Sequence, residues 1–195
     1  MQANFTSHLN SAARRGARGG RRLLTVGSIA VMAVLLAGCF GDGTYSVGNG
    51  SGQVPAGTYR STGGSGCYWA RLSDLTGSFS SVIANNFLSG PDVVTVLSSD
   101  AGFESDGCGT WDLLPSTGPE VTSFGDGGYA IGIDIAPGTY SAPGGEYCYW
   151  EQYSDFLGTS ASLISIGANP GQQTVQLASN AKRFLVQGCG TWTKS

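Results

Sequence analysis

Histidine is almost absent from this chain of 195 residues. The only one is His8, close to the N terminus. Without another histidine, no Ser-His-Asp triad, Cys-His pair or zinc site with histidine ligands can be assembled farther along the chain. We therefore expect no catalytic residue, no metal site and no bound cofactor.

Basic residues are concentrated at the N terminus and are scarce after it. Five arginines precede the apolar run LLTVGSIAVMAVLLA, and no acidic residue occurs before residue 39. This pattern is typical of an export signal. Removing residues 1–38 leaves five basic and thirteen acidic residues, a net charge of 5 − 13 = −8. A module this acidic has no basic surface for a phosphate backbone, so we expect no nucleic-acid partner.

The end of the apolar run carries a second signal. The residues Leu36-Ala37-Gly38-Cys39 resemble the lipobox of bacterial lipoproteins. The resemblance implies that residues 1–38 are a lipoprotein signal peptide and that Cys39 carries diacylglycerol, which holds the protein at the extracytoplasmic face of the cell membrane. The alternatives are a plain cleaved signal peptide and an uncleaved anchor, for which the run falls short of the roughly 20 residues that span a bilayer.

The rest of the chain is an internal repeat. A shift of 81 residues aligns residues 54–114 with residues 135–195 without a gap, and 22 of the 61 aligned positions are identical. Upstream, GDGTYSVG matches GDGGYAIG at a shift of 84 residues. We predict a Gly/Ser-rich linker at residues 39–53 that merges into the first unit, and repeat units at residues 41–124 and 125–195.

Each unit has the pattern of β structure. Short runs such as YAIGIDI, CYWARL and VVTVL are rich in β-branched and aromatic residues and are separated by glycine, proline, asparagine or serine. No stretch keeps a helical apolar period over three turns. The sequence therefore predicts an all-β protein of two tandem, small, antiparallel β-sandwich domains of a jelly-roll-like kind.

Four cysteines remain once Cys39 is set aside. They allow three pairings, and the repeat favours Cys67 with Cys108 and Cys148 with Cys189, one disulfide in each unit. A redox-active pair is the alternative, but neither site has the Cys-x-x-Cys spacing of thiol-exchange catalysts. We therefore interpret the repeated GCGTW motif as a structural crosslink of a small extracytoplasmic domain.

The aromatic residues divide between core and surface. On a strand, Cys67 and Trp69 share one face and Tyr68 lies on the other, and the same holds for Tyr149. The tryptophans predicted to pack in the cores are Trp69, Trp111, Trp150 and Trp192. The tyrosines predicted as candidates for a ligand-binding surface are Tyr68, Tyr149 and Tyr147, with Tyr59 and Tyr140 as weaker ones.

Carboxylates are many but scattered. Within the aligned window only Asp74 recurs, as Asp155, and its Ser-Asp-x-x-Gly setting favours a structural role that caps a turn. A glycosidase needs two carboxyl groups across a sugar, which one recurring aspartate does not provide. The Asp42-Gly43 and Asp126-Gly127 pairs are interpreted as tight turns rather than calcium sites, because an EF-hand loop is missing.

The succession GDGxYxVG, PGTY, CYW, SD and GCGTW resembles a repeat of secreted proteins and lipoproteins of actinobacteria. The resemblance covers nearly all of the chain after the signal and implies location and modular architecture, with no activity attached. The first copy departs from it slightly, with VPAGTY where the second has IAPGTY.

These features together predict a lipid-anchored extracytoplasmic module that binds a glycan or a protein of the cell envelope and is not an enzyme. Two linked weak sites gain avidity, which favours binding as the use of a duplication. One alternative is a cell-wall hydrolase that uses acidic residues, for which two carboxylates should converge in a cleft. The other is an inhibitor or exclusion lipoprotein, for which a flat aromatic patch is expected.

Overall fold

The computed structural model describes residues 39–195, so the predicted signal peptide at residues 1–38 lies outside the described part. The first repeat contains seven strands: β1 (Gly43–Ser46), β2 (Gly57–Ser61), β3 (Gly64–Leu72), β4 (Val82–Gly90), β5 (Val93–Val96), β6 (Gly102–Asp106) and β7 (Trp111–Leu113). The second contains eight: β8 (Ser123–Phe124), β9 (Gly127–Ala130), β10 (Thr139–Ala142), β11 (Tyr149–Tyr153), β12 (Leu163–Gly167), β13 (Gln173–Gln176), β14 (Arg183–Gln187) and β15 (Trp192–Lys194).

Helical structure in the described residues is limited to two 3-10 turns, Phe79–Ser81 and Ser160–Ser162. The first turn immediately precedes β4 and the second immediately precedes β12, at equivalent positions of the two repeats. Within residues 39–195 no helix has the length and apolar character needed to cross a membrane.

Each repeat is a sandwich of two antiparallel sheets. In the first repeat a sheet of order β1-β6-β3-β4 faces a sheet of order β5-β2-β7, and in the second β9-β14-β11-β12 faces β13-β10-β15-β8. The orders are equivalent except for β8, whose place in the first repeat is taken by a single bridge between Phe40 and Trp111. The predicted architecture of two tandem all-β domains is confirmed.

A hydrophobic core fills the space between the two sheets of each repeat. Phe103 lies edge-on to Trp111 with ring centroids 5.4 Å apart, and Phe184 lies edge-on to Trp192 at 5.3 Å. The tryptophans without solvent exposure are Trp69, Trp111 and Trp192. Trp150 is only partly buried, although it occupies the position of Trp69 in the second repeat.

One disulfide lies in each core. Cys67 is bonded to Cys108 and Cys148 to Cys189, so the prediction of one disulfide in each domain is confirmed. Gly107 lies beside the first bridge with φ of 68°, a left-handed conformation that glycine adopts without steric cost. Crosslinking residues 41 positions apart contributes about 4 kcal/mol in the chain-entropy model.

The first core begins immediately after Cys39. Phe40 exchanges two backbone hydrogen bonds with Trp111, at 3.2 and 2.7 Å, and its ring packs against Tyr45, Tyr59 and Phe103. Residues 39–53, predicted as a linker that merges into the first unit, thus contribute Phe40 and strand β1 to the sandwich. The chain has no flexible spacer between Cys39 and the first residue of the fold.

The two repeats pack against each other through a buried ion pair. Arg183 on β14 donates to Asp92 from Nε at 2.9 Å and from a terminal nitrogen at 2.6 Å, and both side chains are almost fully buried. Asp92 also accepts from the indole of Trp69 at 2.7 Å and the amide of Asn86 at 2.9 Å. The carboxylate of Asp92 neutralises the charge of the Arg183 guanidinium. The ring of Tyr153, with its centroid 5.3 Å away, covers the face of the guanidinium.

A second buried arginine also joins the repeats. Arg71 is paired with Asp100 in the first repeat and donates to the backbone oxygen of Leu157 in the second at 2.9 Å. Asp100 accepts from the backbone N–H of Leu97, and Gln152 accepts from the equivalent N–H in the second repeat. In the second repeat, the neutral side chain of Gln152 therefore accepts the backbone hydrogen bond that the carboxylate of the Arg71–Asp100 ion pair accepts in the first.

None of these buried charges recurs in the alignment of the repeats. The equivalent residues are Gln173 for Asp92, Ala181 for Asp100, Gln152 for Arg71 and Gly102 for Arg183. Burying a charge is costly unless it is paired, so these charges specify which surfaces of the two repeats meet.

We predict that Asp92→Asn destabilises the protein by about 3 to 5 kcal/mol, because it leaves the buried guanidinium of Arg183 without a counter-charge. Urea denaturation measures this free energy of unfolding. The double variant Asp92→Leu with Arg183→Met should recover most of the loss, since it removes both charges. Asp106→Asn, at an exposed position of β6, serves as the control. Equal stability of Asp92→Asn and wild type would contradict the role of the pair.

Candidate functional site

A groove opens on the outer face of the four-stranded sheet of the first repeat. We call it the outer groove, and its volume is about 410 Å³. Its lining includes Thr44 of β1, Tyr68 of β3, Glu104 of β6 and residues 75–79 of the loop before β4. Side chains alternate along a strand, so the buried neighbours Trp69 and Phe103 place Tyr68 and Glu104 on the outer face.

Tyr68 and Glu104 give the groove its chemistry. Both side chains are half-buried, and among the described residues no donor lies within hydrogen-bond distance of the Glu104 carboxylate. Burial and the negative charge of Glu104 raise the pKa of the Tyr68 phenol, while a hydrogen bond with Asn85 opposes the shift. The groove therefore holds an unpaired carboxylate beside a protonated phenol.

The wall of the groove is a loop held by short polar contacts. Oδ1 of Asp74 accepts from the N–H of Thr76 at 2.9 Å and from its hydroxyl at 2.6 Å, and these bonds lower the pKa of Asp74. Asp155 accepts from the N–H of Leu157 at 2.8 Å at the equivalent place. Both recurring aspartates thus occupy turns, as the sequence suggested. At the tip of this loop, Phe79 is 98% exposed.

The other predicted surface tyrosines lie outside the outer groove. Tyr149 is half-buried beside Glu151, and burial followed by the hydrogen bond to Glu151 raises the pKa of its phenol. It belongs to the sheet of the second repeat that carries Arg183 and faces the first repeat. Tyr147 is 78% exposed in the turn before β11. The three tyrosines therefore do not form one surface.

Tyr59 and Tyr140 are not surface residues, which corrects the weaker part of that prediction. Both are completely buried in the two cores. The hydroxyl of Tyr59 donates to the backbone oxygen of Pro55 at 2.8 Å, and that of Tyr140 to Ala136 at 2.7 Å. A tyrosine that donates to the backbone four residues before it stabilises the turn leading into the strand, which is the role of the PAGTY and APGTY motifs.

A second depression of about 380 Å³, the inter-repeat cleft, lies where the two repeats meet. Its lining includes Pro91, Asp112, Val121 and Tyr129. It also includes the ion pair between Arg60 and Asp134, which crosses from the first repeat to the second. Asp134 is buried and accepts in addition from the N–H of Ala130 at 2.9 Å, so its carboxylate is already used in the structure.

Cys39 lies on the far side of the first sandwich from the outer groove. Phe40 pairs with Trp111, and both rings enter the core, so Cys39 and Asp112 project from the outer face of the three-stranded sheet. The thiol is exposed, and the negative charge of Asp112 raises its pKa. The predicted lipid attachment point and the outer groove therefore lie on opposite faces.

The chemistry open to the outer groove is binding through one carboxylate, hydroxyl groups and aromatic surface. Within the described part of the chain, no group of three His, Cys, Asp or Glu side chains is arranged to hold a metal ion. The sequence did not single out Glu104 or Phe79. The sequence marks these two residues only by a difference between the repeats: Glu104 aligns with Leu185, and Phe79 aligns with Ser160.

One protein-family model, described as the Rv1352-like extracellular domain, matches the chain twice, at residues 37–112 and 121–193. Each match covers one of the two repeats, and the result fits the extracellular repeat family expected from the sequence motifs. None of the curated proteins and none of the solved structures matches the chain.

We predict that the phenol of Tyr129, in the inter-repeat cleft, loses its proton at a higher pH than an ordinary tyrosine. Burial, followed by the charges of Asp126 and Asp134, raises the pKa of its phenol from 10.0 to about 12. The stability from its protonated form is present below the unfolded pKa and is lost as the pH rises from about 10 to about 12. NMR titration of ¹³Cζ-labelled tyrosine, assigned with Tyr129→Phe, measures the shift.

Asp126→Asn should lower the pKa of Tyr129 because it removes one of the two nearby charges. Asp74→Asn, in the loop of the first repeat, should leave it unchanged. An ordinary pKa for Tyr129 in the wild-type protein would show that the cleft does not enclose the phenol.

Proposed function

Because the chain belongs to the Rv1352-like extracellular domain family, we propose that it is a lipid-anchored binding module of the cell envelope, with the outer groove as its binding site. The family description makes it an extracellular module. The proposal adds two statements to this description: Cys39 carries the lipid anchor, and the ligand is a glycan or a protein of the envelope. The protein has no catalytic activity in this proposal.

The position of Cys39 supports the anchor. Its exposed side chain is free to carry diacylglycerol, and Phe40, the next residue, is already packed in the first core. Two acyl chains hold a soluble domain at a membrane, where one gives only marginal binding. A domain attached without a spacer keeps the outer face of its three-stranded sheet towards the membrane.

The position of the outer groove is the observation that carries the binding function. It opens on the face opposite Cys39, so the anchored protein presents the groove to the envelope rather than to the membrane. Exposed apolar side chains at its rim, Phe79 at 98% and Leu75 at 52%, provide contact surface for a ligand.

The carboxylates of the two depressions favour binding over hydrolysis. Acid hydrolysis of a glycan needs two carboxyl groups on either side of the scissile bond. The lining of the outer groove contains one, that of Glu104. The inter-repeat cleft contains Asp112 and Asp134, but Asp134 is bound by Arg60 and the backbone of Ala130.

We predict that Phe79→Ser reduces binding of the mature chain, residues 39–195 with Cys39→Ser, to purified envelopes of the bacterium that produces it. The side chain is fully exposed, and the second repeat has Ser160 at this position, so stability should not change. Co-sedimentation with the envelopes measures binding. Tyr147→Ser is the matched control, an exposed aromatic residue outside the groove. Loss of binding by Tyr147→Ser alone would exclude the outer groove as the site.

We predict that Cys39→Ala releases the full-length protein from the membrane into the soluble extracytoplasmic fraction, because the acyl chains can no longer be attached. Cell fractionation measures the distribution, and mass spectrometry of the wild-type N-terminal peptide measures the diacylglycerol. Asp112→Asn, which changes the neighbour of Cys39 and keeps the cysteine, should stay with the membrane. An unmodified Cys39 in the membrane-bound protein would contradict the anchor.

A further inference from the structure

The outer groove has a counterpart in the second repeat, and the first repeat covers that counterpart. Groove residues Leu75, Thr76 and Gly77 align with residues 156–158. The backbone oxygen of Phe156 accepts from Thr95 at 2.8 Å, and that of Leu157 accepts from Arg71 at 2.9 Å. A Cβ added at Gly158 would overlap the ring of Trp69. The loop that walls the open groove of the first repeat is thus a contact surface in the second.

The ion pair between Asp92 and Arg183 occupies the middle of the covered surface. Asp92 lies against Gly128, whose added Cβ would overlap its Oδ1. Gly128 is the cross-strand partner of Leu185, and the equivalent pair in the first repeat is Thr44 with Glu104. The place that Asp92 takes on the second repeat therefore corresponds to the space above Thr44 and Glu104 on the first.

Three replacements change what the outer groove can accept. Thr44 stands where the second repeat has Gly128, so its side chain blocks the close approach that another repeat would need. Gly102 stands in place of Arg183, which removes the positive charge. Glu104 stands in place of Leu185, which adds a negative one. The outer groove therefore keeps its walls, but the side chain of Thr44 leaves too little depth for a second repeat docked in the same way. The groove also carries the negative charge of Glu104, whereas the equivalent surface of the second repeat carries the positive charge of Arg183.

An acidic groove with apolar walls matches a basic side chain. The Glu104 carboxylate has no protein donor among residues 39–195, and Leu72 and Leu75 line the groove beside it. The apolar stem of an arginine or lysine packs on such walls while its charged end reaches the carboxylate. The same fold already binds Arg183 between an aspartate and the rings of Trp69 and Tyr153, at 5.9 and 5.3 Å from their centroids.

We propose that the outer groove binds an arginine or lysine side chain of an exposed peptide segment on a partner protein, with Glu104 as the counter-charge and Tyr68 and Phe79 as aromatic contacts. This inference rests on the proposed binding function and names the class of its ligand. A net charge of −8 on residues 39–195, from 5 − 13, attracts a basic partner over longer distances and adds to the rate of encounter.

The probe is the blocked tripeptide acetyl-Gly-Arg-Gly-amide, titrated into ¹⁵N-labelled residues 39–195 with Cys39→Ser. All fifteen strands, both cores and both disulfides lie in this range. We expect saturable shifts of the amide signals of Thr44, Tyr68, Glu104 and residues 75–79, with a Kd of about 1 mM. The same peptide with citrulline, which keeps the shape and loses the charge, should bind about tenfold more weakly.

Glu104→Gln should weaken the arginine peptide about tenfold and leave the citrulline peptide unchanged. Glu146→Gln, at an exposed site in the second repeat, is the matched control and should change neither. Equal affinity for the two peptides, or the absence of saturable shifts at about ten times the expected Kd, would overturn the proposal. If the peptides fail while Phe79→Ser still abolishes envelope binding, the binding function stands and its ligand is not a basic peptide.

Discussion

The bidentate pair between Asp92 and Arg183 is the interaction on which the arrangement of this protein depends. It is nearly inaccessible to water, it is supported by Trp69 and Asn86, and it crosses from one repeat to the other. A buried charge is tolerated only where its partner is in place, so this pair allows one way of docking the repeats. Docking in this way covers one face of the second sandwich and leaves the equivalent face of the first open.

A tandem duplication therefore produced two domains with the same strand order and different surfaces. Repetition by itself would allow a third repeat to dock on the open face of the first. Thr44 in place of Gly128, and Gly102 in place of Arg183, remove the close approach and the charge that such docking needs. The equivalent position of the second repeat has Gln173 in place of Asp92, so the second repeat also lacks its half of the ion pair. A further repeat docked in the same way would therefore lack these contacts, and the outer face of the first repeat remains open.

The proposed attachment point, Cys39, and the outer groove lie on opposite sides of the first sandwich. Phe40 joins the core through Trp111 and fixes Cys39 on the outside of the three-stranded sheet, while the groove lies on the outside of the four-stranded sheet. In the proposed lipid-anchored protein, the fold rather than a flexible linker would set the orientation at the membrane. A rigid domain that is attached on one face presents its opposite face with little loss of conformational freedom on binding.

The sequence by itself determined the fold class, the duplication and the disulfide in each domain. Alternating β-rich runs, the recurring CYW and GCGTW motifs and cysteines at matched positions are local signals, and they were sufficient for these conclusions. The sequence ranked Tyr59 below Tyr68 as a surface candidate but did not place it in the core, because both are strand tyrosines and sheet pairing decides what each side chain faces. Nor could it assign Asp92, Arg183 and Glu104 to their places, since they lack counterparts in the other repeat and their environment is formed by residues distant in the chain. Only the tertiary structure decided which face is covered and which is open, because that choice depends on how two similar domains bury their unlike charges against each other.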